Sequence, residues 1–97
     1  MKKTQYAILL KKEVINDGHG HIYVSNAWYY SAGKYSNTFS TSSHLDGARI
    51  FPTMEKAREV LNSEKFQCRL KAANALSRRI NLNLYEPTIV EIGVINN

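Results

Sequence analysis

The sequence predicts an α+β fold, a three- or four-stranded antiparallel sheet with two helices packed on one face, in the order β-β-(β)-α-α-β. Three observations carry that prediction. Residues 4–30 read as two strands joined by a glycine-dense turn. Residues 53–80 hold two helical patterns, each with its own cap. Residues 88–95 alternate apolar and other side chains as a closing strand. The chain has 97 residues, the length of one domain, so 1–97 is read as a single domain.

The first strand covers residues 4–15. Tyr6, Ile8 and Leu10 point one way and Ala7, Leu9 and Lys11 the other, because a strand alternates its side chains. Asn16-Asp17-Gly18-His19-Gly20 is a turn, since Asp-Gly and the second glycine tolerate positive φ. His21 to Tyr30 resumes strand chemistry with Ile22, Tyr23, Val24, Trp28, Tyr29 and Tyr30, all β-branched or aromatic. Ser31-Ala32-Gly33-Lys34 is a second turn. Tyr35 to Thr41 reads as an edge strand or a loop, with Tyr35, Asn37, Phe39 and Thr41 on one face. Ser42 to Gly47 is loop. Ala48-Arg49-Ile50-Phe51 delivers the chain into the helices.

Thr53 after Pro52 is an N-cap, and Glu55 in the first turn suits the helix dipole. Met54, Ala57, Val60 and Leu61 form the apolar stripe of the first helix. Asn62-Ser63 breaks the pattern, and Ser63 caps a second helix with Glu64 in its first turn. Phe66, Leu70, Ala73, Leu76 and Ile80 continue at helical spacing. Residues 81–85 leave the helix and Pro87 confirms the stop. In the closing strand Val90, Ile92 and Val94 share a face, with Glu91 and Gly93 opposite. Such an apolar strand needs a sheet partner, the first strand or a neighbour. Alternation buries one aromatic set, which places Trp28 and Tyr30 toward the helices and Tyr29 at the edge. The other sheet face is left partly open, and a homodimer is one way to cover it.

Composition limits the class. Hydrophobic residues make up 43% and charged residues 22%, close to ordinary globular proteins, which argues against disorder. There is one cysteine, where a small secreted domain would carry several pairs, so a cytoplasmic, reducing setting is expected. The apolar run from Tyr6 to Leu10 is too short for a signal-peptide core. No stretch approaches the roughly 20 apolar residues of a membrane span. The net charge of +5 favours a polyanionic partner, or serves only to keep the protein soluble.

The second helix holds the most informative charge pattern. Lys65, Arg69, Lys71, Arg78 and Arg79 stand against one acid. At a helix's angular step, Lys65, Arg69 and Arg79 fall within roughly 80°, and Lys71 and Arg78 share another sector. Such a helix can lie along phosphates of DNA or RNA, or meet an acidic protein surface; the alternative is a solvated face. It matches no helix-turn-helix, zinc-finger or RNP signature. Tyr29 and Tyr35 are candidate aromatic anchors. His19 and His21 share a strand face near Asp17, but nothing in the sequence brings His44 to them, so no metal and no cofactor is expected. Cys68 lies inside a helix and reads as an inert, largely buried thiol. The serines show no nucleophile elbow, and no acid pair has a catalytic spacing.

The hairpin, then Ala48-Arg49-Ile50-Phe51-Pro52-Thr53 running into Glu55-Lys56-Ala57, resembles small proteins encoded by phages and prophages of Gram-positive bacteria. In these a short strand ending in an aromatic enters a capped helix beginning T-x-E-x-A, and a terminal strand follows. The resemblance covers about residues 20–95, and the longer basic second helix departs from the simplest such proteins. It implies a non-enzymatic binding protein in the bacterial host cytoplasm. By this resemblance it inhibits a defence nuclease complex, as anti-CRISPR proteins do, by binding a host protein or nucleoprotein complex. A nucleic-acid-binding regulatory protein is the second expectation, and a small enzyme the third.

Overall fold

Segments with period-two alternation become strands here, and segments with helical spacing become helices. The computed structural model describes residues 2–16, 18–33, 35, 38–80 and 84–96. Asp17 of the first turn, Lys34, Ser36 and Asn37 ahead of the third strand, and 81–83 after the second helix lie outside the described residues, as do the side chains of Tyr23, Val24 and Val94. The elements are β1 (Lys2–Asn16), β2 (Ile22–Ala32), β3 (Phe39–Ser42), a 3-10 turn (Leu45–Gly47), α1 (Met54–Leu61), α2 (Glu64–Arg79) and β4 (Thr88–Asn96). The sheet order is β3-β2-β1-β4 and every pairing is antiparallel. The α+β class and two-helix layer follow the expectation, β3 is an edge strand, and β4 finds β1 as its partner. Among the described residues, no helix is long and apolar enough to cross a membrane.

One face of the sheet carries the main core. Ile8, Leu10, Tyr29, Phe51, Ala57 and Phe66 are buried together, with Tyr6, Phe39, Val60, Leu61, Leu70, Tyr85 and Ile89 packed around them. Burying a side chain such as Ile8 or Leu10 is worth about 1.5–3 kcal/mol. α1 lies against β1 and β4. Phe66 of α2 meets the Tyr29 ring at 5.3 Å and the Phe39 ring at 5.1 Å, which seats α2 over β2 and β3. On the far face Ala7, Trp28 and Ala48 are buried, flanked by half-buried Leu9, Val90 and Ile92.

Three expectations are corrected by this packing. Tyr29, at 6% exposure, faces the helices, while Trp28 takes the far face and Tyr30 is exposed at 56%. Alternation separates the two sets and does not say which one the helices will cover. Lys11 shares the helix side with Leu10, its Nζ lying 4.5 Å from the Tyr85 ring centre. The register shifts between Leu9 and Lys11, a β-bulge that turns the following residue to the other face. In α2 the inward line runs Phe66, Ala73, Ser77, leaving Leu76 40% and Ile80 55% exposed. Ser77 lies one turn beyond Ala73 and takes the place the apolar pattern gave to Leu76.

Each of the other ladders also has a shift, at Tyr29/Ser31 between β2 and β3 and at Thr4/Gln5 between β1 and β4. The latter places Gly93 as the extra residue, with φ at 45°, a region a side chain rarely enters. These bulges let the strands part. β1 and β2 pair from the hairpin tip up to Leu9↔Trp28. Above that point residues 49–51 wedge between them. Phe51 exchanges two backbone bonds with Tyr6, at 3.0 and 2.8 Å, and Arg49 N–H donates to the Tyr29 carbonyl at 2.9 Å.

Candidate functional site

α2 starts where Ser63 interrupts α1. The Ser63 hydroxyl accepts the Phe66 N–H at 3.2 Å and donates to the Val60 carbonyl at 2.7 Å. The Gln67 amide adds a bond to the Leu61 carbonyl at 2.6 Å. The junction is therefore tied on both sides, and the rotation of α2 is fixed from its first turn. At the other end Asn74 holds the returning chain, donating to the Tyr85 carbonyl at 3.1 Å and accepting the Tyr85 N–H at 2.6 Å.

With Phe66, Ala73 and Ser77 inward, the opposite side of α2 is set. Lys65, Lys71, Arg78 and Arg79 are all exposed there, within an arc of about 140° and over a length of about 21 Å. Glu64 is the one acid of the helix. Lys65 and Arg79 of one cation sector read from the sequence, and Lys71 and Arg78 of the other, are the flanks of this single outward strip. Cys68 is exposed on the same side. The buried thiol expected from its mid-helix position is thus corrected, because residue 68 lies about 160° around the helix from Phe66.

Arg69 is not part of the strip. Its Nη1 donates to the Tyr35 carbonyl and, at 3.4 Å, to the Thr38 carbonyl. Its Nε is buried without an acceptor among the described residues. Arg69 thereby clamps the β2–β3 connection onto α2. The connection closes on itself as well, Thr38 N–H donating to the Tyr35 carbonyl at 3.1 Å. Tyr35 is exposed at 64% on this clamped turn. Tyr29, the other expected anchor, is a core ring edge-on to Phe39 at 6.1 Å and offers no open face.

Beside the strip the fold opens a trough that the sequence did not reveal. It has a volume of about 500 Å³ and is lined by Tyr29, Ser31, Ala32, Arg49, Glu59, Val60, Ser63 and Lys65. A second depression of about 310 Å³ shares Arg49, Glu59 and Val60 with it and continues to Phe51, Pro52 and Lys56. Arg49 also lies 5.2 Å from the Phe51 ring centre, and Glu59 pairs with Lys56 at 3.8 Å. The one signal that could have pointed here is Arg49 itself, a lone charge between Ala48 and Ile50.

His19 and His21 are exposed near the hairpin tip, and His44 is exposed beside the 3-10 turn. Among the described residues, no three of His, Cys, Asp and Glu gather into a group that could hold a metal ion. The strip offers fixed positive charge, and the trough sets half-buried Ala32 and Val60 beside Arg49 and Lys65. No family model matches the chain, and no curated protein and no solved structure gives a significant match.

Proposed function

We propose that this chain is a small non-enzymatic binding protein that docks an acidic partner against the outward strip of α2. In keeping with the resemblance to phage proteins, the partner is a bacterial defence nuclease complex, which the chain inhibits in the host cytoplasm. The observation that carries the reading is the strip: Lys65, Lys71, Arg78 and Arg79 exposed together on one helix, with the interior of the same helix fastening it to the sheet. A protein of this charge does not mimic DNA, so it meets an acidic protein surface or the RNA of the complex. The test is affinity capture with the tagged chain from nuclease-treated bacterial lysate, run beside a Lys71→Glu/Arg78→Glu variant. A nuclease complex should be retained by the parent and lost by the variant, and its activity should fall when the chain is added. Equal retention by both proteins would remove the strip from the contact.

A second reading is direct binding of DNA or RNA by the same strip, favoured by the spread of its four cations along about 21 Å of helix. If all four displace counterions, the logarithm of affinity should fall with the logarithm of salt at a slope of about −3.6 on duplex DNA. A flat salt dependence would sink this reading.

A further inference from the structure

We infer that the trough between β2 and the α1–α2 junction is a second binding site, built for an extended acidic peptide segment of a partner protein. This site shares Lys65 with the α2 strip, but Arg49 belongs to the trough alone and Lys71 and Arg78 to the strip alone, so either site can fail without the other.

The trough exists because β1 and β2 separate. Their pairing ends at Leu9↔Trp28, and among the described residues the backbone bond from the wedge of residues 49–51 to β2 is the one from Arg49 N–H to the Tyr29 carbonyl. Ser31 and Ala32 pair with β3 through Ser40 and Phe39 on one side. Gly33 N–H donates to the Thr38 carbonyl at 3.2 Å, so alternation turns the Ser31 backbone groups to β3 and those of Ala32 to the trough, where no strand of the described residues lies beside them. The Ser31 hydroxyl reaches the Ala32 carbonyl at 3.4 Å. Backbone that lacks a neighbouring strand is what an extended peptide pairs with when it adds to a sheet. A second depression adjoins the trough, sharing Arg49, Glu59 and Val60 with it and reaching Pro52 and Lys56.

The chemistry of the walls selects the peptide. Half-buried Ala32 and Val60 in the lining suit an apolar side chain. Arg49 and Lys65 of the same lining are exposed. The acid on the rim, Glu59, already faces Lys56 at 3.8 Å. The lining therefore keeps a positive balance and favours carboxylates placed around an apolar residue. A nucleotide is a poorer match. Bases are held by stacking on an open aromatic face, and the Tyr29 ring is packed against Phe39 and Phe66.

The test is a random hexapeptide phage library panned on the full chain. Enriched peptides are then synthesised with a fluorescein label and titrated by anisotropy. The expected hits carry at least two Asp or Glu around an apolar residue. Their affinity should fall by more than about tenfold on Arg49→Glu and on Lys65→Glu, and change by less than about twofold on Lys71→Glu/Arg78→Glu. In the parent protein the peptide should shift the amide resonances of Ser31, Ala32, Val60 and Ser63, a readout that does not depend on any variant folding. No enrichment, or enrichment of basic or neutral sequences, would overturn the proposal. So would binding that survives Arg49→Glu and disappears with Lys71→Glu/Arg78→Glu, which would place the peptide on the strip and leave the trough empty. Displacement of the peptide from these four residues by a single-stranded oligonucleotide would overturn it in favour of nucleic acid.

Discussion

Arg69 and Arg78 carry the same charge on the same helix and meet different surroundings. Arg69 donates to two carbonyls of the β2–β3 connection, whereas Arg78 is exposed on the outward strip. Hydrogen bonds from a charged group to buried acceptors contribute about 1.5–3 kcal/mol, less where the group is partly in water, as here. Arg69→Ala should therefore lower stability by about 1–2 kcal/mol in urea denaturation, and Arg78→Ala should stay within about 0.5 kcal/mol of the parent. Equal effects would mean that the clamp is not holding. The sequence places Arg69 beside Lys65 on one sector, and that much is right. Its partners lie 34 and 31 residues away in the chain, and no local spacing reports such a contact. Tyr29 shows the same limit. Its strand and its aromatic character are legible, but which face the helices will cover is decided by tertiary packing.

The helices are the most legible elements because their signals are local. Thr53 accepts the Lys56 N–H at 3.1 Å and Ser63 the Phe66 N–H at 3.2 Å, so both caps stand where the sequence puts them. Thr53→Ala should cost about 1 kcal/mol by thermal or chemical denaturation. Ser63→Ala should cost more, since the hydroxyl also ties α2 to the Val60 carbonyl at 2.7 Å. A smaller loss at Ser63 than at Thr53 would show that the junction is held by packing alone. The strands were legible as alternating runs, and their bulges were not. A bulge changes the facing of everything beyond it, so simple alternation puts Ile8 and Leu10 on the helix side, where they lie, and puts Lys11 on the opposite side from the one it takes. Gly93, with its positive φ, is the one bulge residue whose type gave a hint. The trough was illegible for a related reason: it is a gap between elements, created by a wedge whose two hydrogen-bonded neighbours, Tyr6 and Tyr29, lie far from it in sequence.

At the scale of the whole molecule, the extents of 46 × 36 × 18 Å describe a thin plate. The radius of gyration is 14.7 Å, against about 12.5 Å for a compact chain of this length. The excess comes from the hairpin. β4 pairs with β1 only as far as Leu9 and β3 with β2 only from Trp28 onward. Residues 11–16 and 22–27 therefore form a two-stranded ribbon that leaves the sheet with no third strand among the described residues. An isolated two-stranded hairpin is marginal in water, so this ribbon should open locally while the core stays closed. Hydrogen exchange followed by NMR should find its amides at least about tenfold less protected than those of Ala7, Ile8 and Leu10. Uniform protection along β1 would mean that the ribbon and the plate unfold as one unit. The plate also turns its single cysteine outward: Cys68 stands exposed among the cations of α2. A fluorophore attached at that sulfur would sit within the proposed contact and report docking by a change in its emission. Under oxidising conditions the same sulfur would join two chains back to back, hiding both basic helices from any other partner.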